Sequence, residues 1–80
     1  MKDIDKIDKE KFNEYAVYLE NVLSKTLGMM ETECLVNWLD GGITYADITK
    51  AYGITMKRCE NFSFHYMNAI LMNLIKERRN

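Results

Sequence analysis

The stretch Thr44-Tyr45-Ala46-Asp47-Ile48-Thr49-Lys50-Ala51-Tyr52-Gly53-Ile54-Thr55, continuing through Met56-Lys57-Arg58-Cys59-Glu60-Asn61-Phe62-Ser63-Phe64, decides how this chain is read. Thr44 and Asp47 have the spacing of a capping box, with Asp in place of the usual Glu or Gln, and so predict a helix start. Gly53 interrupts the helical pattern, and Thr55 behind it is a second candidate cap. The expectation is a brief helix ending near Tyr52, a turn at Gly53, and a longer helix running from Thr55 to about Lys76.

Two helices joined across a glycine form the frame of a helix-turn-helix over about residues 44–64. That motif needs apolar residues five before the glycine, directly before it, directly after it, and six and nine after it. Ile48, Tyr52, Ile54, Cys59 and Phe62 fill those positions. Glycine suits the turn because positive φ is cheap only for glycine. Thr49 departs from the pattern, which favours Ala or Gly where the two helices touch.

Working outward, the rest of the chain is also helical in pattern. Phe12, Tyr15, Ala16, Leu19, Val22 and Leu23 recur at steps of three and four, predicting a helix from about Lys9 to Leu27 closed by Gly28. A second helix is expected over Glu31 to Asp40, burying Leu35, Trp38 and Leu39 beside Cys34, with Gly41-Gly42 ending it. Residues 1–8 read as a charged, frayed lead-in. The chain has 80 residues and no proline, which predicts one all-α domain of four helices with a long C-terminal helix.

Charge is unevenly spread. Residues 1–47 carry five Lys or Arg against ten Asp or Glu, whereas residues 48–80 carry six against two, so a net charge of −1 hides a basic C-terminal half. The near-neutral total weighs against nucleic acid, while the basic end coincides with the turn motif. Cys34 and Cys59 lack companions at zinc-ligand spacing, so no metal is expected. The alternating charges of the first residues do not look like a signal peptide. No apolar run approaches the roughly 20 residues of a membrane span. A cytoplasmic location with reduced thiols is expected. With no phosphate-binding glycine loop and no nucleophile paired with a base, neither enzymatic activity nor a cofactor is expected.

Met30-Glu31-Thr32-Glu33-Cys34-Leu35-Val36-Asn37-Trp38-Leu39 followed by Gly42-Ile43-Thr44-Tyr45-Ala46-Asp47-Ile48-Thr49-Lys50-Ala51-Tyr52-Gly53-Ile54-Thr55 resembles the fourth conserved region of bacterial primary-type sigma factors. It is also similar to the output domains of LuxR-type regulators. The resemblance spans about residues 30–62, under half of the chain. It implies a tetrahelical domain that reads promoter DNA with the helix beginning at Thr55, and, for sigma-type members, a contact with RNA polymerase. Family members carry more Lys or Arg on and after that helix than Lys57 and Arg58 supply here.

On a helix from Thr55, Cys59, Phe62, Tyr66, Ile70 and Leu74 share the core face, and Lys57, Asn61, His65 and Asn68 lie opposite, with Arg58 at the edge. The expected DNA contacts are Lys57, Arg58 and Asn61 on base edges, Thr44, Lys50 and Thr55 on phosphates, and His65 in or near the groove. A merely solvated polar face is the plainer alternative. Phe64, Met67, Leu71 and Ile75 form a further apolar strip that either makes a homodimer seam or is covered by the first helix through Val17 and Tyr18. Two functions follow: a small transcriptional regulator that binds double-stranded DNA from a bacterium or bacterial virus, or a sigma-like module that grips RNA polymerase or another protein without reading DNA. A third, weaker reading is a DNA-packaging protein without sequence preference.

Overall fold

In the computed structural model, which describes residues 8–79, each helix start is set by a short polar side chain or a glycine. Asp8 opens α1 (Lys9–Leu23), its Oδ1 accepting the Glu10 N–H at 2.9 Å. Ser24, in the left-handed region at φ 58, closes α1, its N–H bonding the Glu20 carbonyl. The expected end at Gly28 is therefore four residues too late. Two carboxylates explain the early stop, because Glu20 accepts the Leu27 N–H at 3.0 Å and Glu31 accepts the Gly28 N–H at 2.8 Å. Donors held by side chains are no longer available to extend a helix. Gly28 instead precedes α2 (Met29–Asp40) as its N-cap residue. Residues 1–7, most of the expected lead-in, lie outside the described residues.

After α2 the chain reverses through Gly41 and Gly42, and Gly42 sits at φ 83, a conformation that strains any residue bearing a Cβ. Thr44 then caps α3 (Tyr45–Arg58) as expected, with both halves of the capping box formed: Asp47 N–H to Thr44 Oγ1 at 3.2 Å and Thr44 N–H to Asp47 Oδ2 at 3.0 Å. The last helix, α4, spans Phe64–Arg79. The protein is an all-α domain of four helices with a long C-terminal helix, as the sequence predicts.

The break at Gly53 is not there. α3 runs through Gly53 without interruption and ends with the Cys59 N–H on the Thr55 carbonyl at 2.9 Å. Thr55 opens no helix: it is fully buried in the last turns of α3, where its hydroxyl donates to the Ala51 carbonyl at 2.8 Å. A mid-helix threonine satisfies its hydroxyl in this way at the i−4 carbonyl. Ile48, Ala51 and Thr55, all buried, sit three and four residues apart and make one face that can be buried only if the helix continues across the glycine. One exposed glycine opposes this by about 1 kcal/mol, too little to break a helix whose buried face spans it. The turn falls instead at residues 59–63. Ser63 is the working cap of α4, its Oγ accepting the Tyr66 N–H at 3.2 Å and its carbonyl the Met67 N–H at 3.1 Å.

Packing runs in a ring: α1 on α2, α2 on α4, α4 on α3, and α3 back on α1. Trp38, Leu35 and Leu39 of α2 meet Tyr15 and Leu19 of α1 and Ile48 and Ala51 of α3 in a single core. α4 contributes Phe64, Met67, Leu71 and Ile75, all buried. Each such side chain stabilises the fold by about 1.5–3 kcal/mol of transfer free energy. The Trp38 and Phe64 rings stack at 5.5 Å between centroids. Tyr45 stacks on Tyr15 at 4.2 Å and leans on Tyr18, fixing the start of α3 against α1.

Candidate nucleic-acid interface

The structure divides the expected site residues into three groups. The first is a set of exposed polar side chains around the end of α3 and the start of α4. Lys57 and Arg58 lie in the last turn of α3, Asn61 in the turn, and His65 in the first turn of α4, all exposed. Lys50, also exposed, is seven residues before Lys57 and therefore on the same side of α3. It stands at the rim of an open groove of about 360 Å³ between α3 and α4, floored by Ala51, Ile54, Ile70 and Leu74. Lys50, Lys57 and Arg58 make no ion pair among the described residues, unlike Lys25, Arg78 and Arg79.

The second group is committed elsewhere. Thr55 is buried in α3, so it cannot touch a phosphate. Thr44 is exposed, but its hydroxyl and its N–H are both engaged with Asp47. The positive end of α3 is answered by that same carboxylate, which also accepts two bonds from the Arg78 guanidinium at 2.8 Å each. Arg78 above all, with the Thr44 groups, holds the Asp47 carboxyl down to about 2. Asn68, expected on the polar face, accepts the Trp38 indole N–H at 2.7 Å and belongs to the α2–α4 contact.

The third group is the apolar strip. Phe64, Met67, Leu71 and Ile75 are core residues, so a homodimer seam or a polymerase contact built on them would require unpacking the domain. The alternative of intramolecular cover is the one observed, but α2 and α3 supply it. Val17, expected to help cover the strip, is 57% exposed. The residues expected to face the core, Tyr66, Ile70 and Leu74, are only half-buried, because α4 begins at Phe64 and is turned relative to a helix started at Thr55.

The five motif positions keep their apolar role in a different geometry. Ile48 is in the core, Tyr52 and Phe62 bring their rings to 5.5 Å, Ile54 floors the groove, and Cys59 is half-buried. They join α3 to the turn and to α4, rather than folding two short helices about Gly53. Thr49, the departure from the pattern, is exposed and shares a hydrogen bond with the Tyr18 hydroxyl.

One unforeseen cluster lies at the α1–α2 junction. The buried Glu31 carboxylate accepts the Gly28 N–H and faces Lys25 at 3.4 Å, and the Gly28 bond holds it below the usual carboxylate range. Its sequence signal was the Gly28–Glu31 spacing of a capping box, hidden because Gly28 was read as the end of α1. The cluster shapes the loop, and its one exposed charge, Lys25, is paired with Glu31.

No known protein family, curated protein or solved structure matches the chain. Among the described residues no helix is long and apolar enough to cross a membrane. What is established is an all-α four-helix domain, with Lys50, Lys57 and Arg58 exposed on α3.

Proposed function

We propose that this chain is a small regulator that binds duplex DNA through α3, the 59–63 turn and the start of α4. The observation that carries this reading is that Lys50, Lys57 and Arg58 are exposed and make no ion pair among the described residues, while Asp47 on the same helix is neutralised by Arg78. Cations without protein partners are free to displace counterions from a phosphate backbone, which supplies most of the affinity of such proteins. Asn61 and His65 extend the surface with side chains able to bond base edges or phosphates, and Arg and Lys suit guanine. The sigma-type resemblance of residues 30–62 points to the same partner, with the contact surface moved from a helix starting at Thr55 to the end of α3. Glu60 in the turn opposes the cations and keeps affinity modest.

The test is selection of bound duplexes from a randomised pool, followed by sequencing of the bound fraction. The reading requires an enriched motif. Binding without enrichment would replace a sequence-reading regulator with a non-specific DNA-coating protein, and no binding at low salt would remove DNA altogether in favour of a protein partner.

A further inference from the structure

The continuity of α3 exposes a face that a turn at Gly53 would have destroyed. At about 100° per residue, Ala46, Lys50, Gly53 and Lys57 fall in one narrow strip, flanked by Thr49 and Met56. All six are exposed. At 1.5 Å per residue the strip from Ala46 to Lys57 is about 16 Å long, three turns of helix. It carries no acid and two lysines that make no ion pair among the described residues, and its remaining central positions are alanine and glycine. Gly53 is in ordinary helical geometry with no atom within 4 Å of where a Cβ would stand, so none of the described residues covers the middle of this face.

We infer that α3 itself is the helix that enters the major groove of duplex DNA, with Ala46, Lys50, Gly53 and Lys57 turned toward the groove floor. The inference rests on the DNA-binding reading above and assigns the contacting helix within it. The occupant is argued from charge: a three-turn face whose only ions are unpaired cations complements a polyanion, and an α-helix fits the roughly 12 Å width of the B-form major groove. Small side chains at 46 and 53 let the backbone approach, while Lys50 and Lys57, one on either side of Gly53, reach bases or the flanking phosphates. Duplex RNA is a poor occupant, because its major groove is too deep and narrow to admit a helix.

The experiment is a fluorescence-anisotropy titration of labelled duplex DNA, at low and near-physiological salt, with the wild-type chain and four variants. Gly53→Glu and Ala46→Glu place a bulky anion on the strip at positions open to solvent, and thermal melts check that both fold. Met30→Glu makes the same charge change at the start of α2, where Met30 is 59% exposed, and serves as the control. The expected result is at least a ten-fold loss of affinity for both strip variants, with Met30→Glu within about two-fold of wild type. If folded Gly53→Glu and Ala46→Glu bind as wild type while Lys57→Ala/Arg58→Ala is weakened, α3 does not enter the groove although the DNA reading stands. If the wild-type chain fails to bind duplex DNA at either salt, both ideas fall. Equal affinity for duplex RNA would also contradict insertion into a B-form groove.

Discussion

Trp38 donates its indole N–H to Asn68 across 2.7 Å, a side-chain hydrogen bond that ties the last turn of α2 to α4. Trp38 is fully buried and is the only tryptophan, so Asn68 is what keeps a core N–H satisfied. Losing one partner of a buried hydrogen bond costs about 1–3 kcal/mol. Asn68→Leu is therefore expected to lower the melting temperature by roughly 4–8 °C per kcal/mol lost, as befits a domain of this size. Thermal denaturation followed by Trp38 fluorescence checks this, and an unchanged midpoint would place Asn68 on the solvated face.

Gly53 separates the two descriptions of residues 44–64 most simply. In a continuous helix with open space beside it, Gly53→Ala removes the entropic penalty of glycine and stabilises the protein by about 0.4–1 kcal/mol. At a turn needing positive φ the same change would destabilise it. Urea denaturation of the two proteins gives the sign.

Gly41 stands where α4 leaves no room. A Cβ there would lie 2.5 Å from Ile75 Cδ1 and 2.6 Å from Cγ1, and Ile75 is itself buried. Gly41→Ala is expected to cost about 1–3 kcal/mol through overpacking. Because the clash is with one side chain, the loss should couple to Ile75→Ala: the double variant is expected to lose less than the two single losses added. Strict additivity would show that the two residues do not meet.

Asp47 and Arg78 give the fold an acid-sensitive contact between α3 and α4. The Asp47 carboxyl is held at about 2, below its ordinary 3.8, chiefly by the Arg78 guanidinium. A carboxyl depressed in the folded state stabilises fully above its unfolded value and loses that contribution as pH falls through the folded one. The contribution is thus complete above about pH 4 and fades toward pH 2. Arg78→Gln is expected to lower stability at pH 5 and to make little difference at pH 2, and denaturant titrations at the two values measure it. The effect stays small because Arg78 is largely exposed.

How far the sequence carried the account depends on which signals act locally. Helix number, the Thr44–Asp47 cap and the buried stripes of Tyr15 and Leu19 or Leu35, Trp38 and Leu39 were legible, because capping and periodicity are written in neighbouring residues. Gly53 and Thr55 misled because each is a plausible punctuation mark, and only the burial of Ile48, Ala51 and Thr55 on one face decides for a continuous helix. The true cap, Ser63, was visible in retrospect: Phe64, Met67, Leu71 and Ile75 follow it at helical spacing. Those four were recognised as an apolar strip, left between a homodimer seam and cover by α1, since their cover by α2 and α3 is a tertiary fact. For the candidate surface, Lys50, Lys57 and Arg58 were chosen from their place on the turn motif and are exposed in the structure, whereas Thr55 is buried with its hydroxyl on the Ala51 carbonyl.

Whether Lys57 and Arg58 meet DNA phosphates, as proposed, is read from the salt dependence of affinity. The measurement is anisotropy of a labelled duplex titrated with wild type and with Lys57→Ala/Arg58→Ala over a series of salt concentrations. Each phosphate contact contributes about 0.9 to the slope of log affinity against log salt. A steep decline is expected for wild type, with a slope shallower by about 2 for the double variant. Equal slopes for the two proteins, or no binding at the lowest salt, would contradict the proposal.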